Sequence, residues 1–136
     1  MEHLIFDIKS LYIEQEQKNF NFILRVDDLF LSVEQAVPCG LIMNELLSNS
    51  VKHAFPPEFN KNIEKNIEVF LRQNNEIIEF GVQDNGKGIP ENMSRVQGQT
   101  LGFELITILV KQLKGTIEFS KGEKGEQTKI EIRFSL

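Results

Sequence analysis

Tryptophan is absent from the 136 residues, cysteine and tyrosine occur once each, and histidine occurs twice. A lone Cys39 cannot close an internal disulfide, so a reducing, cytosolic setting is the expectation. Basic residues are in deficit, 15 against 20 acidic, and form no run. That removes the sequence-independent attraction on which nucleic-acid binding depends, and any anionic ligand must be held by local groups or a cation. The opening stretch "MEHLIFDIKS" has neither the basic n-region nor the apolar h-region of a secretory leader. No apolar run approaches the roughly 20 residues of a membrane-spanning helix, so no membrane contact is expected of this domain, although a larger parent protein can still be anchored. Repeats and low-complexity tracts are missing too. What is present is a 40% hydrophobic content with 11 Phe, enough for one domain with a proper core.

Along the chain, Leu4, Ile5, Ile8, Leu11 and Tyr12 recur at helical spacing, which predicts an amphipathic linker helix over residues 1–17 leading into a domain over 18–136. "FNFILRV" (Phe20 to Val26) reads as a strand and Asp27-Asp28 as a turn. Ser32 with Gln35 fits a capping box, so a helix should run from there to Ala54, with Pro38 as the place where it can bend. The polar "EFNKNIEKN" reads as a loop. "IEVFLRQ" and "EIIEFGVQD" alternate and should form a hairpin around Asn74-Asn75. Phe103, Ile106, Val110 and Leu113 mark a second amphipathic helix that ends at Gly115, and "TIEFS" with "TKIEIRFSL" completes a second hairpin. The predicted fold class is α+β, a two-layer sandwich with helices on one face of a mixed, mostly antiparallel sheet.

Three segments carry chemistry. In "NELLSNSVKHAF", helical spacing places Met43, Leu47, Ser50, Val51 and Ala54 on one face and Glu45, Asn49 and Lys52 on the opposite one. A solvated polar face is the default reading of such a row. Asparagine is a poor helix former, however, and a carboxylate, a carboxamide and an ammonium in line suit Mg2+ and phosphate. In "DNGKGIP" the Asn-Gly pair is a turn signal, yet Ile89-Pro90 and a polar stretch follow in place of a strand. Gly86 and Gly88 then allow close approach of a flat ligand, with Asp84 as an acceptor at the strand end. In "GQTLGFELI", Thr100 is a natural N-cap that leaves the amides of Leu101, Gly102 and Phe103 free for an anion, although a flexible connection with a cap accounts for this segment equally well by itself.

Together these segments resemble the ATP-binding catalytic domain of two-component sensor histidine kinases, a Bergerat-type fold shared with DNA gyrase, the heat-shock chaperone ATPase and the mismatch-repair ATPase. "LIMNELLSNSVKHAFP" is most similar to the branch whose N box ends in Lys-His-Ala-Phe, and the likeness extends from about Phe20 to Phe134. The resemblance implies ATP and Mg2+ as cofactors. It makes Asn49 the Mg2+ ligand and Glu45 the acidic group that polarises a water or the incoming nucleophile, these two being the candidate catalytic residues. It makes Lys52 a phosphate contact and places His53 near adenine or ribose. Asp84 would recognise the adenine amino group in a pocket shaped by Gly86, Gly88 and Ile89. Thr100, Leu101 and Gly102 would meet the phosphates, Thr128 would close the adenine pocket, and Pro90 to Gln99 would form the lid. The chain departs from the family in a sparse second glycine box, Gly98 and Gly102, and in Gln127, where the family usually has glycine.

The resemblance further implies a histidine-containing dimerisation domain as partner and a response regulator downstream. The residues around His3 do not resemble an acceptor motif and His53 lies in the N box, so the acceptor histidine is expected on another segment. Two other readings stay open: an anti-sigma-factor-type serine kinase, and a nucleotide-binding interaction module without transfer activity.

Overall fold

A computed structural model describes residues 20–53, 55, 64–86, 101–121 and 128–136. Its elements run β1 (Asn21–Val26), α1 (Val33–His53), β2 (Asn66–Asn74), β3 (Ile77–Asp84), α2 (Leu101–Gln112), β4 (Thr116–Ser120) and β5 (Thr128–Ser135). The strands form one sheet in the order β1-β2-β3-β5-β4. β1 pairs parallel to β2, and every other pairing is antiparallel. A parallel neighbour cannot be reached by a tight turn, and the chain makes the crossover from Val26 to Asn66 through α1. The α+β class with a mixed, mostly antiparallel sheet is thus observed. The expected helix over residues 1–17, most of the loop before β2 and the segment 87–100 lie outside the described residues.

The core follows from strand alternation. Ile67, Val69 and Leu71 on β2, Ile78, Phe80 and Val82 on β3, and Ile130, Ile132 and Phe134 on β5 are buried. They form one apolar cluster with Ile42, Met43, Leu46 and Leu47 of α1 and Ile106, Leu109, Val110 and Leu113 of α2. Each such side chain contributes about 1.5–3 kcal/mol when taken from water. Register is therefore strongly specified, because a one-residue slip in the β2–β3 pairing would turn Glu68 and Gln83 inward.

The opposite face of the sheet is held by ion pairs. Arg72 meets Glu131 at 3.1 Å, Arg133 meets Glu79 at 2.9 Å and Glu131 at 3.3 Å, and Glu68 is bonded by Arg25 and Gln83. One aromatic ring lies among these charges. Phe70 pairs across the strands with Gly81, and the Arg72 guanidinium and Lys129 ammonium stand 4.9 and 5.4 Å from its ring centroid. Gly81 is required here, since a Cβ would lie 1.9 Å from the Ile130 carbonyl oxygen and 3.0 Å from Phe70 Cζ.

Two helix ends and one hairpin turn correct expectations. Ser32 does cap α1, its Oγ accepting from the Gln35 amide at 3.3 Å, but the Gln35 side chain does not reach back: its Nε2 donates to the Ser135 carbonyl at 3.2 Å. Only half of the capping box forms, and the other half ties α1 to β5. At the end of α2 the left-handed residue is Lys114, with φ 55°, one position before the expected glycine. The Lys114 and Gly115 amides donate to Lys111 and Val110 carbonyls at 3.0 Å each, a Schellman pattern. Gly115 serves a different need, because a Cβ there would stand 2.4 Å from the Arg133 carbonyl oxygen. The β2–β3 hairpin turns through Asn75-Glu76, one residue later than expected, with Asn74 paired to Ile77 and Asn75 at φ 59°. Asparagine tolerates that region better than most residues, which places Asn75 at the first turn position.

Candidate functional site

The site is built at the end of the sheet where β3 stops and the second half of α1 passes over it. Apolar residues seat α1 on the sheet, with Met43 and Leu47 fully buried. One turn beyond Leu47, Ser50 is also buried and its hydroxyl donates to Asp84 Oδ2 at 3.2 Å. The Gly86 amide donates to Asp84 Oδ1 at 2.9 Å. Asp84 itself is only 3% exposed. Burial pushes its carboxyl above the ordinary carboxylate range, and the bonds from the Gly86 amide and the Ser50 hydroxyl pull back against that rise.

The exit from β3 is pinned by Asn85. Its Oδ1 accepts from the Asn66 amide at 2.7 Å, its Nδ2 donates to the Glu64 carbonyl at 2.6 Å, and its own amide donates to the Asn66 carbonyl. The "DNG" turn signal therefore marks a clamp on the start of β2 that holds Asp84 in place. Thr128, also buried, opens β5 directly opposite Asp84 in the strand register.

Along α1 the polar row predicted from the sequence is present but not uniformly wet. Lys52 is exposed, whereas Glu45 and Asn49 are half-buried. The exposed positions of the first half of α1 include three apolar residues, Val33, Val37 and Leu41, beside Glu34. Glu45 faces α2: its Oε2 lies 2.9 Å from where a Cβ of Gly102 would stand, so the absence of that carbon makes room for the carboxylate. Gly102 belongs to the first turn of α2, where backbone amides lack intrahelical partners and negative charge is favoured. One turn along from Glu45, the buried Nδ2 of Asn49 has no hydrogen-bond partner among the described residues.

An orphaned carboxamide inside a protein costs free energy unless something outside the chain completes it. Oxygen and nitrogen of an amide exchange places by rotation, so this position can offer Oδ1 to a cation or Nδ2 to a phosphate oxygen. No group of three or more His, Cys, Asp or Glu that could cage a metal occurs among the described residues. Mg2+ does not need one, since it usually takes one or two protein oxygens and completes its shell with phosphates and water. Asn49 fits that mode.

The described residues thus bring Glu45, Asn49, Asp84, Gly86, Gly102 and Thr128 to one end of the fold, with Lys52 at its edge. His53 closes α1 and Leu101 opens α2, but their side chains lie outside the described residues, as do Gly88, Ile89 and Thr100 entirely. Two residues with a place in the geometry, Ser50 and Asn85, had no functional reading from sequence. The signal for Ser50 was a polar residue on an otherwise apolar helix stripe.

No helix among the described residues is long and apolar enough to cross a membrane. Residues 34–136 match the family model described as histidine kinase-, DNA gyrase B- and HSP90-like ATPase. Blue-light-activated histidine kinase 2 of Erythrobacter litoralis is 28% identical over 112 residues, which is 82% of this chain and 32% of that protein. The sensor protein LytS of Staphylococcus epidermidis is 34% identical over 104 residues, 72% of this chain and 16% of that protein. The chain therefore spans a third or less of these relatives. The solved histidine kinase domain of an Erythrobacter litoralis blue-light activated histidine kinase superposes with a TM-score of 0.84 at 22% identity, covering 99% of this chain and 60% of that one. The fold, the polar cluster at its open end and the family match agree: the chain belongs to the histidine kinase-, DNA gyrase B- and HSP90-like ATPases, as the ATP-binding catalytic domain of a sensor histidine kinase.

Proposed function

We propose that this domain, over residues 18–136, binds Mg-ATP and transfers the γ-phosphoryl group to a histidine on a separate dimerisation segment, from which a response regulator is phosphorylated. The observation that carries this reading is the orphaned, buried amide of Asn49, flanked on α1 by Glu45 against α2 and by Ser50 against Asp84.

Asp84 would accept from the adenine amino group, beside Gly86 and Thr128, with Gly88 and Ile89 assigned to the same pocket by the family resemblance. His53 would contact the adenine or ribose. Asn49 would hold Mg2+, which would neutralise phosphate charge. Lys52 and the amides at Thr100, Leu101 and Gly102 would meet the phosphate oxygens, supplying positioning and charge compensation before transfer. Glu45, beside the first turn of α2, accepts a hydrogen bond from the incoming imidazole and orients its other nitrogen toward the γ-phosphorus. Transfer breaks the bond from the γ-phosphorus to the bridging oxygen, forms the phosphorus–nitrogen bond and leaves ADP.

The test supplies γ-labelled ATP, Mg2+ and a separately produced acceptor helix pair from a two-component kinase. Acid-labile label on the acceptor that disappears in Asn49→Ala supports the reading. Acid-stable label would indicate a hydroxyl acceptor and a serine kinase, and firm ATP binding without any transfer would leave an interaction module.

A further inference from the structure

We propose that Ser50 is a positioning residue that sets the base preference of this site: by donating its hydroxyl hydrogen to Asp84 Oδ2 it keeps the carboxylate aimed and acceptor-only, so that the site takes an exocyclic amino group and refuses a ring carbonyl. The inference rests on the nucleotide-binding reading above. Ser50 and Asp84 are 7% and 3% exposed, so their bond is shielded from competing water. Each Asp84 oxygen receives one donor from the protein, Oδ2 from Ser50 and Oδ1 from the Gly86 amide at 2.9 Å, and each retains lone-pair capacity for a ligand.

Burial drives the Asp84 carboxyl toward its protonated form, and protonation would invert what the site recognises. An ionised carboxylate only accepts, which matches the N–H groups of a 6-amino purine. A protonated one donates an O–H, which matches the oxygen of a 6-oxo purine. What faces Asp84 decides the balance. Its register partners are Ile67 on β2 and Thr128 on β5, its bonded partner on α1 is Ser50, and beyond the strand it meets the Gly86 amide. None of these described groups carries a charge, so hydrogen bonds oppose the burial. The Gly86 donor is backbone and fixed by the chain path. Ser50 is therefore the side chain through which acceptor character is set.

Ser50→Ala tests this without endangering the fold, because alanine is the best helix former and smaller than serine. Binding of ATP and GTP with Mg2+ is measured from about pH 5.5 to about pH 8 on wild type and variant, alongside a carbon-13 carboxyl titration of Asp84 in the ligand-free protein. The expected variant loses ATP affinity about tenfold relative to wild type at the acid end, the scale of one charge-assisted hydrogen bond, and little at the alkaline end. Its preference for ATP over GTP narrows as pH falls, and its Asp84 carboxyl titrates at higher pH than in wild type. An unchanged carboxyl titration together with an unchanged ATP-to-GTP ratio would overturn the proposal. Wild type that binds neither nucleotide at any pH would instead remove the nucleotide reading, and the base preference with it.

Discussion

A Cβ on Gly102 would lie 2.9 Å from Oε2 of Glu45, so the first turn of α2 and the carboxylate on α1 occupy neighbouring space only because residue 102 has no side chain. The obstructing atom is the far end of a flexible side chain. Gly102→Ala should therefore fold, and the helix propensity of alanine should add about 0.5–1 kcal/mol to stability. The displaced Glu45 should lower phosphoryl transfer by roughly ten- to a hundredfold. Thermal melts and single-turnover transfer, compared with Glu45→Gln, check both halves. A variant that melts higher and transfers at the wild-type rate would show that the position of Glu45 is immaterial.

Asp84 predicts a pH dependence of opposite sign to that of a salt-bridged aspartate. Because burial raises its carboxyl in the folded state, the protonated form is favoured by folding. Its contribution to stability is full below the unfolded-state value and is lost as pH rises through the folded-state value. Asp84→Asn should abolish that decline. The Gly86 amide can still donate to the new carboxamide oxygen, and the Ser50 hydroxyl can turn to accept from its nitrogen. At about pH 7 the variant should be at least as stable as wild type in urea, yet bind no ATP. A strongly destabilised Asp84→Asn protein would assign Asp84 to the fold and not to a ligand.

Gly81→Ala should be severely destabilising, by about 3 kcal/mol or more, because the new carbon meets the Ile130 backbone oxygen and the buried Phe70 ring at once. A urea midpoint within a few tenths molar of wild type would mean that the β3–β5 pairing yields far more readily than its register indicates.

Lys114→Gly should have the opposite effect. Lys114 holds φ 55° at the end of α2, a conformation that costs a side chain about 1 kcal/mol and glycine little. Chemical denaturation should show a gain of that order with nucleotide binding unchanged, since Lys114 lies at the far end of α2 from Gly102.

Much of this fold was legible because local signals and the global arrangement coincide. The alternation in "IEVFLRQ" and "EIIEFGVQD" reads directly as β2 and β3, and Ser32 marks the start of α1 because its hydroxyl has an amide to accept from. The parallel place of β1 beside β2 was not legible, since period-2 patterning states which face is buried and not which strand lies alongside. Tertiary contact likewise overrode the glycine signal at the end of α2. Gly115 looked like the left-handed cap, but the approach of the Arg133 carbonyl claims the glycine and leaves Lys114 to take the positive φ.

The candidate site divides the same way. Glu45, Asn49 and Asp84 stand out by residue type and spacing, because an asparagine inside a helix and an aspartate at a strand end demand a reason. Ser50 did not, because helical periodicity assigns it to the stripe with Met43 and Leu47, and only the arrival of Asp84 from β3 turns that stripe position into a hydrogen-bond donor. Asn85 was hidden by its own motif: Asn-Gly signals a turn, whereas its side chain closes a clamp on Glu64 and Asn66.

In the proposed function, Mg-ATP completes the buried Asn49 amide, whose Nδ2 has no partner among the described residues. Calorimetric titration of ATP with and without Mg2+, on wild type and Asn49→Ala, tests it most directly. Mg2+ should strengthen binding in the wild type, and that dependence should be gone in the variant. Equal Mg2+-strengthened affinity in both proteins would contradict it.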